Sequence, residues 1–438
     1  MRENRFGNRF FITTFGESHS KAIGVLIEGL KPNIEINIKD IQKLLDQRKP
    51  GKNRYSSKRK ESDKLEILSG IFEGKTLGTP IVAIIYNRDS RTKDYSNIKD
   101  IFRPSHADFT FFNKYGIRDY RGGGRASARE TASRVIAGAI AIDKLREKNI
   151  IIKSKIVQIG PFSDFEIENL KELESSFYDK LTDYLSNLDG DSIGGIVETK
   201  IYGVQVGLGD PIFEKIDANL AKAIISIPAA KGIEFGKGFE FAKKKGSEVN
   251  DQMNENGFIT NNSGGVQGGI TNGETIIFRT VFKPTPSISK KQITQDIDGK
   301  KREFLIKGRH DPVIVLRTIP IINSMSALVI YDSLLEKEVL EKEVLEKDSL
   351  DNLRKKINSL DYSLFTILNQ RFKIVKKIVE KKRKLNLKIE NISVENELIN
   401  NIIDMNFDNL DKNFIKNIYK LIFKRSKEIQ KKLYNLKH

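Results

Sequence analysis

The feature that most constrains the fold is a break in texture at Leu335. There Leu335-Glu-Lys-Glu-Val repeats as Leu340-Glu-Lys-Glu-Val and begins again at Leu345-Glu-Lys. A five-residue period turns about 500° on an α-helix, so its leucines wind around the axis and form no stripe. Such a piece does not bury one face well. With opposite charges four apart at Lys337 and Glu341, and at Glu338 and Lys342, residues 335–349 read as a polar, semi-rigid helical spacer. It divides the chain into residues 1–334 and 350–438, which differ in kind.

In the first part, apolar runs bounded by turn residues predict strands at 23–30, 81–86, 150–159, 195–206, 275–282 and 313–316. Helical patterns fall at 38–47, 166–187, 218–227 and 324–335, and another runs from about 127 to 148. Asp298-Gly299 marks a hairpin between 293–297 and 303–306. The elements interleave without the regular period of a βα barrel, so the class is α+β. In the second part Leu353, Ile357, Leu360, Leu364, Ile367, Phe372, Val375 and Ile378 fall on roughly one stripe of a long helix over 350–384. Further helices are expected at 394–405 and 412–436. This all-helical unit is too thin for a good core of its own, which suggests dimerisation.

The net charge of +18 over 438 residues invites a nucleic-acid reading. Residues 351–438 hold 21 Lys and Arg against 10 Asp and Glu, leaving 55 against 48 for the rest, so the bias is concentrated in the tail. The basic residues there lack the interleaved aromatics of a base-stacking surface, and no nucleic-acid partner is expected. There is no cysteine, which excludes disulfides and thiolate metal sites. No two histidines share a helix face, and no metal is expected. With no long apolar run and no apolar leader, the reading is a cytoplasmic protein with no membrane partner.

Residues 118–130, Arg-Asp-Tyr-Arg-Gly-Gly-Gly-Arg-Ala-Ser-Ala-Arg-Glu, combine a glycine run with arginines and a helix start. Ser127 and Glu130 have the spacing of a capping box. A glycine loop at a helix N-terminus offers free N–H groups and a positive dipole end, and Arg121, Arg125 and Arg129 add charge, so an anion fits. The alternative is a turn whose arginines pair with nearby carboxylates. The basic loop 48–60 is either solvated or closes over a polyanion. His19, His106 and His310 each stand beside a Gly, Pro or Arg turn; each alone reads as structural, and together they suggest acid/base chemistry.

Five motifs carry a resemblance: Thr14-Phe-Gly-Glu-Ser-His19, Phe102-Arg-Pro-Ser-His-Ala-Asp108, Lys114-Tyr-Gly-Ile-Arg-Asp-Tyr-Arg-Gly-Gly-Gly-Arg125, Lys283-Pro-Thr-Pro-Ser287 and Gly308-Arg-His-Asp-Pro312. Residues 5–334 resemble chorismate synthase, an α/β sandwich. The resemblance implies 1,4-elimination of phosphate from 5-enolpyruvylshikimate 3-phosphate, with reduced FMN and no net redox change. It implies FMN contacts at Arg125, Ala126, Ser127, Ala229, Gly268, Lys283, Pro284, Thr285, Pro286, Ser287 and Arg309. His106 would protonate the flavin, His19 the departing phosphate, and Asp311 would receive the ring proton by way of flavin N5. Arg48 and Arg54 match positions tied to NADPH as reductant, and a homotetramer is implied. Ser20 and Ser105 stand where the family has glycine, Lys49 replaces an arginine, and Pro228 replaces an asparagine.

The tail is similar to the all-helical chorismate mutases through Leu350-Asp-Asn-Leu-Arg354, Leu368-Asn-Gln-Arg371 to Lys382, and Ser426 to Gln430. Arg371 and Lys382 are eleven apart and share a helix face, whereas Arg354 points elsewhere, as suits an arginine donated across a dimer. The resemblance implies a site of Arg354, Arg371, Lys382, Glu395, Ser426 and Gln430 that converts chorismate to prephenate. The family's Asp-x-x-Arg-Glu reads Asn391-Ile-Ser-Val394-Glu395, which removes a cation, and the alternative is a non-catalytic dimerising or regulatory tail.

Overall fold

The computed structural model describes residues 4–51, 61–88, 99–163, 166–168, 179–306, 311–347, 350–385, 392–405, 407 and 409–434. Arg54, Arg309, His310 and Asn391 lie outside these residues. The chain forms two compact units, Met1–Val339 and Leu340–His438.

The first unit is built on two antiparallel sheets. One runs β1 (Arg5–Phe6), β2 (Phe11–Phe15), β3 (Ala22–Glu28), β5 (Ile81–Tyr86), β4 (Leu65–Ser69) in that spatial order. The other runs β8 (Ala230–Phe235), β9 (Ile276–Phe282), β7 (Gly195–Tyr202), β6 (Ile151–Ile159). In β7 residues alternate between buried and half-buried, as expected of a strand with one face on a core. In β3 and β5 buried positions run consecutively, as expected of central strands.

Helices α1 (Ile38–Arg48), α2 (Asp108–Tyr115), α3 (Thr131–Glu147), α4 (Asp179–Ser186), α5 (Ile216–Ile225) and α6 (Ile319–Lys347) complete the pattern. Two of them lie between the sheets. α3 contacts β2, β3 and β5 of the first sheet and β6 of the second. α6 sets Tyr331 against Phe10 just before β2, with ring centroids 5.1 Å apart, and Asn323 against Ser154 of β6, whose hydroxyl donates at 2.6 Å. A helix touched on all sides is apolar all round, and α3 buries Ala132, Val135, Ile136, Ile140 and Leu145 on several faces. The two helices cross at Gly138, where a methyl group would lie 2.2 Å from Ser324 Cβ.

Several expectations are corrected. Residues 313–316 are no strand: Val313 makes one bridge to Ile193, and Ile314–Arg317 is a 3₁₀ turn leading into α6. Within 166–187, Ile167 pairs with Ile156 and the described helix is only Asp179–Ser186. α6 starts five residues before 324 and continues to Lys347. The first turn of the charged repeat packs on the N-terminal unit, with Glu336 on Arg9 at 2.8 Å and Glu338 on Lys148 at 2.7 Å. Those contacts explain why the compact units divide at Leu340 instead of 335.

The second unit holds α7 (Leu350–Lys384), α8 (Ile392–Asp404) and α9 (Lys412–Tyr434). Among the described residues its buried apolar side chains are few: Val375 and Val379 of α7, and Ile415 and Phe423 of α9, the helix that contacts it. Ile357, Leu360, Leu364 and Ile367 of the expected stripe are exposed within the chain.

Candidate functional site

The motif residues of the first unit converge on a cavity of about 470 Å³, within the range of small-molecule sites. Its lining comes from the β2–β3 turn, the end of α1, the loop before α2, the glycine run, the end of α5, the segment leading into β8 and the segment after β9. Among the described residues eight Arg or Lys side chains line it against two carboxylates, Glu61 and Asp311, so it favours an anionic guest.

The three glycines have separate jobs. A methyl group at 122 would lie 2.2 Å from His19 Nδ1, so Gly122 makes room for the imidazole. One at 123 would lie 3.3 Å from His106 Cε1 and 3.2 Å from Ser127 Cβ. Gly124 has φ +53°, and its N–H donates to Ser18 Oγ at 3.1 Å, which is itself 3.0 Å from His19 Nδ1. The run therefore seats both histidines.

Around His106 a buried charge cluster closes. Asp108, the first residue of α2, accepts from Arg103 Nε and Nη2 at 2.7 Å each and from the Arg103 N–H at 3.0 Å. His106 Nδ1 is 3.3 Å from Asp108 Oδ1, and Arg118 Nη1 3.5 Å. Burial pushes the Asp108 carboxyl up, yet the hydrogen bonds from Arg103 and His106 and their charges hold it well below the usual range. Burial lowers the His106 imidazole below its ordinary value; Asp108 opposes this, while Arg103 and Lys283 add to it.

A second cluster closes the other wall. Asp63, fully buried, sits between Arg48 Nη2 at 2.6 Å and Arg129 Nη1. Burial raises its carboxyl, and the two arginines outweigh that and hold it below the normal range. Asp311 meets Arg317 Nη2 at 2.8 Å. Ser105 and Ala229 both line the cavity with left-handed backbone, φ +57° and +71°. The family's glycine at 105 answers this geometry, whereas Ser20 has no positive φ and its hydroxyl instead bridges Glu17 N and Ala22 O.

Of the residues proposed for this site, His19, His106, Asp311, Arg48, Arg125, Ala126, Ser127, Ala229, Lys283, Thr285, Pro286 and Ser287 line the cavity. Two do not. Pro284 packs toward Gly194. Gly268 lies in the 266–271 hairpin, whose Gly269 O accepts from Ile216 N at the start of α5, about 15 Å along the helix from the end that lines the cavity.

The helix-terminus cradle is also corrected. The glycine run leads into two 3₁₀ turns, Gly124–Ala126 and Ala128–Glu130, whose N–H groups are largely taken internally. Ser127 accepts from Arg129 N, but Glu130 turns to Thr14, Arg125 and Arg134 and closes no capping box. The run's arginines pair within the protein: Arg121 with Asp119, Arg129 with Asp63 and Glu61, and Arg125 with Gly16 O and Thr14. Arg48, read as a nucleotide contact, is 2% exposed and committed to Asp63. Asp63 and Arg317 carried no sequence signal. Arg103 and Asp108 did, since they close the 102–108 motif five residues apart.

In the second unit, Arg371 Nη1 donates to Ser426 Oγ at 2.9 Å, and Lys427 meets Glu395 at 3.2 Å. Gln430 Oε1 is buried with no hydrogen-bond partner among the described residues. Arg354 is two-thirds exposed and pairs only weakly with Asp351, at 3.4 Å.

Residues 10–335 match the chorismate synthase family. The chain belongs to the chorismate synthase family. It is 48% identical over 341 residues to the chorismate synthase of a Nitratiruptor species, covering 76% of this chain and 96% of that one. To the enzyme of Sulfurimonas denitrificans it is 49% identical, covering 76% and 95%. A crystal structure of chorismate synthase superposes with TM-score 0.57 at 30% identity, covering 76% of this chain and 93% of that one. Residues 353–431 match chorismate mutase type II. The chain thus joins a shikimate-pathway lyase of aromatic amino acid biosynthesis to a mutase domain, and membership of the synthase family implies a reduced flavin. Among the described residues no helix is long and apolar enough to cross a membrane.

Proposed function

We propose that the first unit eliminates phosphate from 5-enolpyruvylshikimate 3-phosphate with FMN as the flavin, and that the second rearranges the product, chorismate, to prephenate. The observation that carries the first half is the seating of His19 and His106 by adjacent glycines in one cation-lined cavity.

That lining suits a phosphorylated ring cofactor beside a phosphorylated dicarboxylate: Lys283, Arg134 and Arg317 supply charge, and Ala126, Ala229 and Pro286 supply apolar contact. Bound reduced FMN would supply an electron-rich ring that assists loss of phosphate without net redox change. Ser18 Oγ accepts from Gly124 N and lies 3.0 Å from His19 Nδ1; in the tautomer where the hydroxyl donates to Nδ1, the His19 Nε2 proton serves the departing phosphate oxygen. Asp311, held by Arg317, is the carboxylate available for the ring proton. Arg125 acts through the loop: its guanidinium ties the glycine run to β2, so Arg125→Ala weakens FMN binding by loosening that loop. NADPH as reductant and a homotetramer remain part of this reading, with Arg48 a wall of the cavity.

For the second half, a pericyclic rearrangement of a dianion needs cations and an oxygen-directed donor, not a base. Arg371, Lys382 and Gln430 offer these on α7 and α9, and the exposed Arg354 and apolar stripe suit a homodimer that shares sites. The loss of the family arginine at Val394 favours a second reading, a non-catalytic tail. A coupled assay from 5-enolpyruvylshikimate 3-phosphate and reduced FMN decides: prephenate forms, and Arg371→Ala stops the reaction at chorismate. Chorismate that accumulates and stays untouched in the unaltered chain overturns the mutase half.

A further inference from the structure

The Asp108 cluster has no role in the steps above, although it is among the most buried charge groups of the first unit. Asp108 is 5% and Arg103 4% exposed. Arg103 Nη2 has two hydrogens. Asp108 Oδ1 at 2.7 Å and Gly122 O at 3.2 Å compete for them with His106 Nδ1, also at 3.2 Å. His106 Nδ1 stands 3.2 Å from the same nitrogen and 3.3 Å from Asp108 Oδ1, so its role turns on the tautomer: protonated, it donates to Asp108; bare, it shares an Arg103 hydrogen with nearer or equal competitors.

We infer that Asp108 is a positioning residue for the reaction: it accepts the His106 Nδ1 proton, fixes the imidazole tautomer, and keeps Nε2 as the nitrogen that exchanges protons with bound flavin or substrate. The inference rests on the reading of the cavity as the synthase site.

The surrounding geometry equips Asp108 for this. It opens α2, where the helix dipole favours a negative charge. Arg103 grips both oxygens, and Arg118, fastened to Lys99 O and Ile101 O at 2.7 and 2.9 Å, approaches from the segment after α2. The carboxylate thus stays ionised, and burial favours the neutral imidazole beside it between proton exchanges at Nε2. Gly122 O ties Arg103 to the glycine run that seats His19, so one guanidinium sets the position of both histidine seats. An aspartate that orients a neutral histidine through Nδ1 is the arrangement that makes Nε2 an effective proton carrier.

The charged groups facing His106 are Arg103 and Asp108 from its own loop, Arg118 beyond Asp108, and Lys283 from the segment after β9. In Asp108→Asn the negative charge is lost and the three cations remain, so the limb of the kcat profile that reports His106 moves to lower pH. At neutral pH kcat falls by about 10²-fold while KM for 5-enolpyruvylshikimate 3-phosphate stays within roughly twofold. Because Asp108 works through His106, Asp108→Asn with His106→Gln is no slower than His106→Gln alone.

Asp108→Asn also leaves two buried arginines short of a partner and could fail to fold. The unaltered full-length chain therefore gives the second measurement: ¹⁵N NMR of the histidine rings, with His106 identified by its loss in His106→Gln. A signal from Nδ1–H at His106 supports the inference. An Nε2–H tautomer overturns it, as does a double variant whose losses multiply. Either failure is distinct from failure of the synthase reading, which shows as absence of chorismate from the unaltered chain.

Discussion

At the scale of single residues, backbone and side chain trade places as the source of function. A methyl group at 122 collides with His19 Nδ1 at 2.2 Å and crowds Ser18 Oγ at 2.9 Å. Gly122→Ala therefore displaces the imidazole and lowers chorismate formation by about 10²-fold with an unaltered circular dichroism spectrum, because an ångström of misplacement suffices. Ser105 is the opposite case. Its φ of +57° costs about 1 kcal/mol that glycine does not pay, and the contact it makes, accepting from Lys283 Nζ at 2.8 Å, uses only its carbonyl. Ser105→Gly is expected to raise the urea midpoint and to preserve the lysine contact. In both cases the side chains visible in the sequence, histidine and serine, are explained by the backbone beside them.

At the scale of elements, the crossing of α3 and α6 sets a limit on composition. Glycine inside a helix costs about 1 kcal/mol relative to alanine, so Gly138→Ala on an isolated helix stabilises. Here the new methyl would stand 2.2 Å from Ser324 Cβ and 2.5 Å from its Cα, and overpacking outweighs propensity. A net loss of about 2 kcal/mol is expected in urea unfolding. Periodicity made the strands at 81–86 and 276–282 and helix α1 legible, since each has apolar residues bounded by turn residues. It failed where apolar runs are buried on every side: Val313–Leu316 looks like a strand, yet only Val313 finds a bridge partner. It failed again at the start of α3, where the spacing of Ser127 and Glu130 promised a cap that Thr14, Arg125 and Arg134 drew away. His19, His106 and the segment after β9 were legible as motifs, and the structure brings them to one cavity. Asp63 was not, because its partners Arg48 and Arg129 are 15 and 66 residues away.

At the scale of the whole molecule, two buried carboxylates tie distant segments of the first unit together. Asp63 joins α1 to the residues before α3, and Asp108 joins α2 to the segments on either side. Both are held below the value of about 3.9 for an unfolded aspartate. A depressed native value means stability that is complete above the unfolded value and lost as pH falls toward the native one. Stability to urea should thus be insensitive to these groups between neutral pH and about pH 5 and fall steeply below about pH 4. In Asp63→Asn, with lower starting stability, that decline should be shallower. A decline already complete at pH 5 would mean that neither carboxylate is held as its arginine partners imply.

The glycine run at 122–124 has a consequence for how the chain can change by inheritance. Three identical letters carry three different messages: room for one ring at 122, a tight fit beside another at 123, and a left-handed turn in open space at 124. Asparagine, which tolerates that turn, is an open route only at the third position. Inherited change is therefore barred outright at the first position, requires Ser127 and His106 to give way by a few tenths of an ångström at the second, and meets only the cost of backbone conformation at the third.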